Sequence, residues 1–195
     1  MRNVARVFSR QRGRDIRACI LSRIPRHAVC AEIGVYKGDF SELILERQPE
    51  KLHLIDPWKF EVGPAYAGSW YGGTSGKSQA RMDSIYKSVL SRFRSEITSG
   101  VVEVHRNTSA ESCSQFPDNY FDWIYIDGNH QYEFVKLDLE MFLPKLKPHG
   151  LVAGDDYGSP GWWQDGVTNA VDEAVACGQF EKLLIENHQF LLGKP

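Results

Sequence analysis

The chain has 195 residues, 42% of them hydrophobic and 12% aromatic, with a formal net charge of −2. That length fits one domain with a sizeable core, and no apolar run approaches the roughly 18 residues of a membrane-spanning helix. The charge is uneven: residues 1–28 hold eight arginines against the single acid Asp15, a balance of +7, which leaves −9 over residues 29–195. A basic arm can meet an acidic partner, but beyond Phe8 it carries no ring for base stacking. A solvated amphipathic helix is therefore expected and nucleic acid is not. The arm lacks the apolar core of a secretory leader, so the expected location is cytoplasmic. Cys19, Cys30, Cys113 and Cys177 are scattered with no C-x-x-C pair; reduced, structural thiols are expected and a zinc site is not.

In chain order, residues 13–24 read as a short helix with Ile16, Ile20 and Leu21 on one face and Pro25 as its stop. Residues 28–34, AVCAEIG, read as a buried strand entering a glycine turn. Phe40, Leu43 and Ile44 mark the buried face of the helix that follows. Such a unit lets backbone approach a ligand closely at a helix N-terminus. Its spacing, E-x-G-x-x-x-G, is not the dinucleotide fingerprint G-x-G-x-x-G, which argues against a dehydrogenase. Residues 51–58 read as the second strand. Asp56 ends it about twenty residues past the turn, where an acid can accept hydrogen bonds from a ribose diol.

Residues 57–79 form a long Gly/Ser/aromatic segment with Trp58, Phe60, Tyr66, Trp70 and Tyr71, which reads as a lid or substrate wall. Within it GGTSGKS, residues 72–78, imitates a phosphate-binding loop. Tyr71 stands where that motif requires glycine and no strand precedes it, so a nucleoside triphosphatase is rejected. Residues 80–97 read as one helix and 101–107 as the third strand, whose polar end at Asn107, Thr108 and Ser109 could face an adenine. Residues 110–116 form a short helix or turn.

The central stretch is FDWIYIDGNH, residues 121–130. Its aromatic and β-branched run reads as a strand buried on both faces, and it ends abruptly in Asp127, Gly128, Asn129 and His130. A helix is expected over 131–146. HGLVAGDDYG then gives a fifth strand ending in Gly154, Asp155, Asp156 and Tyr157. A loop with Trp162 and Trp163, a helix near 167–176 and two strands around Asn187-His188 complete the chain. The alternation predicts an α/β, Rossmann-like doubly wound sheet of seven strands, mostly parallel, with a C-terminal antiparallel hairpin. Residues 1–27 are read as a basic arm and short helix, and 28–195 as the domain. The acidic strand ends fall on one rim, where such sheets bind ligands. His53 and His105 read as sheet residues, and His27, His149 and His188 as loop residues. No H-x-x-x-H spacing and no G-x-S-x-G elbow occurs.

Glycine turn, acid about twenty residues on, YIDGNH and then GDDY together resemble class I S-adenosylmethionine-dependent methyltransferases, from about residue 28 to the end. AEIGVYKG is similar to the glycine turn of catechol O-methyltransferase. YIDGNH with GDDY is closest to macrocin-type sugar O-methyltransferases and cephalosporin-hydroxylase-like proteins. The resemblance implies that Glu32, Gly34, Tyr36 and Gly38 shape the methionine site, that Ser41 binds its carboxylate, and that Asp56 takes the ribose. It implies Asp127, Asp155 and Asp156 as ligands of a divalent cation, Mg²⁺ first, with His130 as the base. Asp127 counts with the catalytic and cofactor residues as well, and Thr108 and Ser109 with the cofactor residues. The implied activity is O-methylation of a small molecule, a sugar or a glycosylated or phenolic natural product. Macrocin-type enzymes are larger and carry a further acid at the metal, so a homo-oligomer stays open. The alternatives are a metal-independent methyltransferase of another acceptor and a non-catalytic cofactor-binding or interaction module.

Overall fold

The computed structural model describes residues 17–63, 66, 68–72 and 78–195. Residues 1–16 of the basic arm and residues 73–77 of the GGTSGKS segment lie outside them. α1 is described over residues 17–21. The chain continues through β1 (Val29–Ile33), α2 (Asp39–Leu45), β2 (Lys51–Ile55), α3 (Gln79–Arg92), α4 (Arg94–Thr98) and β3 (Val102–His105). Then come α5 (Ser109–Cys113), β4 (Phe121–Ile126), α6 (Tyr132–Phe142), β5 (Leu146–Gly154), α7 (Gly166–Ala176), β6 (Glu181–Glu186) and β7 (Gln189–Gly193). No described helix is long and apolar enough to cross a membrane.

The seven strands form one sheet in the order β3-β2-β1-β4-β5-β7-β6. The first five are parallel, and β7 runs antiparallel to both β5 and β6. This is the sheet expected from the sequence. β4 shows why its apolar run is continuous: Trp123 and Tyr125 pack on one side of the sheet with Phe40, Ile44 and Val89, whereas Ile124 and Ile126 pack on the other with Val135, Leu139 and Val171. A strand covered on both faces has no solvent side on which polar residues could alternate. The order reverses between β1 and β4, so the connections that follow them leave to opposite faces of the sheet and open a crevice at the carboxyl ends.

Two expected elements differ. The helix read over 80–97 is interrupted at Phe93, which has φ −104° and ψ 23°. Its ring is buried beneath Gly38, while Arg92 is held by Glu42 at 2.6 Å, Asp39 at 2.7 Å and the Lys37 carbonyl at 2.6 Å. These long-range contacts outweigh the local periodicity. β5 begins at Leu146, ahead of the expected start, and its pairing with β4 shifts between Phe121 and Trp123. The irregularity accommodates Pro148 within the strand.

Asp138 on α6 is 4% exposed, with a hydrogen bond from Ser109 that only partly offsets the effect of burial, and its carboxyl is pushed up to about 7. The fold therefore holds a proton that the unfolded chain has released, and stability falls as pH rises from about 4 to about 7. Asp138→Asn should remove that fall, with a gain of at most about 4 kcal/mol above pH 7 and little change near pH 4. Urea midpoints of both proteins across this range measure it; parallel pH profiles would refute the burial argument.

Candidate active site

β1 delivers Glu32 to the crevice, and its chain leaves the sheet at Gly34 with φ +90°. A Cβ there would lie 2.1 Å from the Asp127 carbonyl oxygen, so β1 and β4 approach too closely for any side chain. The turn is drawn over Asp56 at the end of β2. Its carboxylate accepts hydrogen bonds from the backbone N–H groups of Val35 at 3.0 Å, Tyr36 at 2.8 Å and Trp58 at 2.7 Å, and from the Tyr71 hydroxyl. Asp56 is 1% exposed. Burial raises its pKa, and these donors pull the other way. Glu32 is likewise buried; loss of solvent lifts its carboxyl to about 8 against the hydrogen bond from Ser41.

At the β4 and β5 ends the acids divide into two groups. Asp127 Oδ1 and Asp156 Oδ2 each lie 3.2 Å from His130 Nε2. Ligand atoms of these three residues all fall within 4.8 Å of one another. Asp156 is held at φ +65°, a left-handed conformation that costs energy outside glycine, and burial with neighbouring carboxylates raises it to about 6 despite His130. Burial draws the His130 pKa down, but the Asp127 hydrogen bond and the charges of Asp127, Asp156 and Asp155 outweigh it, and the net shift is upward. Asp155 turns elsewhere. It accepts from the Arg17 guanidinium, from the Gln189 amide and, at 2.9 Å, from the Asp156 N–H. Arg17 also donates to the Tyr125 hydroxyl at 2.9 Å and stands 3.5 Å from Asp127.

These groups line one cavity of about 1040 Å³, large enough for a cofactor and a small second ligand. Glu32, Gly34, Tyr36 and Asp56 line it from one side, Asp127, His130, Asp155 and Asp156 from the other, and Thr108 and Ser109 between. Trp70, Tyr66, Trp162 and Trp163 give it aromatic walls, and Trp163 lies 4.6 Å from the His130 ring. Two expected contacts are not on its surface. Ser41 is fully buried, with its hydroxyl committed to Glu32, and Gly38 caps α2 against the Phe93 ring. Both stand behind the wall, because the turn of α2 carries them away from the strand ends. The Thr108 hydroxyl is engaged by Glu111 in a capping box at the start of α5.

The expected cation ligands are also rearranged: Asp127 and Asp156 converge with His130, whereas Asp155 is neutralised by Arg17. Two carboxylates and an imidazole are a donor set that fits a divalent ion. Arg17 belongs to the arm expected to be solvated, yet it stands in the site. One signal was available, since Arg17 is three and four residues before Ile20 and Leu21 and so shares their buried helical face. The sequence around Tyr71 predicts part of a wall, and nothing local announces that its hydroxyl reaches Asp56.

A family model described as a methyltransferase domain matches residues 31–157. The O-methyltransferase TomG of Streptomyces achromogenes, involved in tomaymycin synthesis and solved in complex with SAM, is similar over 94% of this chain and 79% of its own, at 15% identity and TM-score 0.62. An O-methyltransferase from Bacillus cereus in complex with SAH matches over 94% of this chain and 80% of its own, at 12% identity and TM-score 0.60. The N-methyltransferase NodS of Bradyrhizobium japonicum WM9 matches over 96% and 97%, at 14% identity and TM-score 0.57. At these identities the likeness is one of fold, and it extends to enzymes that methylate different atoms. A 51-residue stretch is 37% identical to the uncharacterized protein y4gI of Sinorhizobium fredii, of whose length the chain spans 6%.

Proposed function

This chain belongs to the methyltransferase-domain family, and on that premise we propose that it transfers the methyl group of S-adenosylmethionine to a hydroxyl oxygen of a small molecule. The observation that carries this reading is the sharing of one cavity by the Gly34–Asp56 cradle and the Asp127–His130–Asp156 cluster. Methyl transfer from a sulfonium is an in-line displacement, so its main demand is alignment of donor, methyl and acceptor. In the proposed pose the glycine turn lies along the methionine moiety. Asp56 accepts from the ribose hydroxyls, with the Tyr71 hydroxyl yielding its place, and Thr108 and Ser109 flank the adenine. The acceptor lies against Trp162 and Trp163, whose faces suit a sugar or a phenolic ring. His130 takes the hydroxyl proton on Nδ1, the ring nitrogen that neither Asp127 nor Asp156 engages, as the new C–O bond forms. Asp127 and Asp156 hold the ring and stabilise its charged form.

Asp127 and Asp156 would hold a divalent cation, with Mg²⁺, which prefers oxygen donors, the first choice, and His130 stays free as the base. Such an ion, when bound, would acidify and orient an acceptor oxygen. Arg17 favours a second, metal-independent reading: its guanidinium already supplies positive charge beside Asp127 and Asp155.

Calorimetric titration with S-adenosylhomocysteine is expected to give micromolar binding at one site, and loss of that binding in Asp56→Ala. Absence of both heat and thermal stabilisation would remove the enzyme reading in favour of a non-catalytic module. With an acceptor in hand, activity abolished by EDTA and restored by Mg²⁺ supports the cation; EDTA-insensitive turnover supports Arg17.

A further inference from the structure

A second cluster of chemistry-bearing residues lies outside the cavity, on the face of the sheet between β2 and β3. The two strands pair in parallel with His53 opposite Glu103 and Ile55 opposite His105. Side chains two apart on a strand point to the same face, so the pattern Glu103-x-His105 presents both groups beside His53. His53 Nδ1 lies 3.0 Å from His105 Nε2. Glu103 Oε1 is 3.7 Å from His105 Nε2, and Glu103 Oε2 is 4.0 Å from His53 Nδ1. None of the three residues lines the cavity.

We propose that His53, His105 and Glu103 form a site for an imidazole-seeking divalent ion of the Zn²⁺ class, which clips the edge strand β3 to β2. Two nitrogens bound to tetrahedral zinc at about 2.05 Å stand about 3.3 Å apart, so the observed pair needs only to open slightly. The outer nitrogen of His53 is 3.1 Å from the Tyr120 hydroxyl. That contact fixes the ring and leaves Nδ1 directed at the cluster, the arrangement found behind metal-ligating histidines. Phe116 and Phe121 pack edge-on against His53 at 4.9 and 5.6 Å between ring centroids, which gives the site an apolar back wall. The front is open, because the Glu103 side chain is 50% exposed. Both imidazoles are buried, so their nitrogens meet the cluster rather than solvent.

Imidazole with one carboxylate selects borderline transition ions over Mg²⁺ or Ca²⁺, which prefer oxygen. Lys51 opposes the ion: its ammonium is 3.1 Å from Glu103 Oε2. A carboxylate has two oxygens, however, and Lys51 also bonds the Gly100 carbonyl at 3.1 Å, so Glu103 can turn Oε1 to the ion and keep Lys51 on Oε2. The competing occupant is a proton, shared between the two facing ring nitrogens in an N–H···N bond. The site was invisible to H-x-x-x-H scanning because its donors come from two strands 52 residues apart.

The test uses the full, tag-free chain stripped with chelator and titrated with Zn²⁺ by calorimetry, with Co²⁺ absorption as the spectroscopic readout. The variants are His105→Gln, Glu103→Gln and, for the cavity cluster, Asp156→Asn. We expect one equivalent of Zn²⁺, with a rise in thermal midpoint, to remain bound in Asp156→Asn, which removes any uptake at the cavity cluster. His105→Gln should lose it, and Glu103→Gln should bind about tenfold more weakly or worse. Glu103 is exposed, so its variant folds even where His105→Gln does not. No Zn²⁺ uptake, uptake that survives Glu103→Gln at full affinity, or uptake that disappears in Asp156→Asn overturns the proposal.

Discussion

Replacing Gly34 with alanine should cost more than any other single methyl group at the cofactor end of the cavity. The added carbon would sit 2.1 Å from the Asp127 carbonyl oxygen, 2.4 Å from its carbon and 2.7 Å from Gly128 Cα. All three are backbone atoms at the end of a central strand, so no rotamer change relieves the clash. The residue is also held at φ +90°, where alanine is strained. Relief requires β1 and β4 to part, which breaks the Asp127 N–H bond to the Ile33 carbonyl. The expected loss is at least about 4 kcal/mol, or a fall in thermal midpoint of about 10 °C or more for a chain of this size. Gly128→Ala is the control. Its Cβ would meet Ile33 Cγ2 at 3.7 Å and the Ile33 carbonyl oxygen at 3.9 Å, both ordinary contacts, and the cost should stay at about 1 kcal/mol. Thermal unfolding of both variants decides: similar midpoints would show that the strand ends yield more readily than their packing implies.

His130→Ala should reduce turnover by about 10² to 10⁴-fold, the usual contribution of a positioned base, which corresponds to about 3–5 kcal/mol of barrier. Affinity for S-adenosylhomocysteine should be retained, because the cradle formed by Gly34, Tyr36 and Asp56 makes no hydrogen bond to the imidazole. The split between the two readouts matters. His130 is flanked by Asp127 and Asp156, and its removal leaves two carboxylates facing each other, which raises the affinity of each for protons. A purely structural role predicts lower stability and weaker cofactor binding together. Undiminished turnover, measured at saturating donor, would exclude His130 as the proton acceptor.

The two halves of the site differ in how far local sequence reveals them. The cradle is made by consecutive residues: β1 must be followed by a left-handed glycine, and Asp56 ends the next strand. Its hydrogen bonds to the backbone of Val35 and Tyr36 follow from the parallel pairing of β1 with β2. The acid–histidine end is only partly local. Asp127 and His130 are three residues apart, and that contact was legible. The choice between Asp155 and Asp156 as the partner of His130 was not. It is made by Arg17, 138 residues from Asp155, and by Gln189 on β7.

The sequence by itself determined the kinds of element and their order. Short, β-branched and aromatic apolar runs closed by glycine or an acid mark strands covered on both faces, as in β1 and β4, and helical spacing marks helices with one buried face, as in α6 and α7. It also determined which residue types stand at each strand end, and hence that glycine, acid and histidine share one rim. Tertiary structure alone decided the break at Phe93, the retreat of Ser41 behind Glu32, the pairing of Asp155 with Arg17, and the meeting of His53 with His105. The reason is the same in each case. Periodicity records the average environment of a segment, one face buried and one not. A particular contact is set by strand register and by which distant side chain reaches a buried charge first, and neither leaves a repeating mark in the chain.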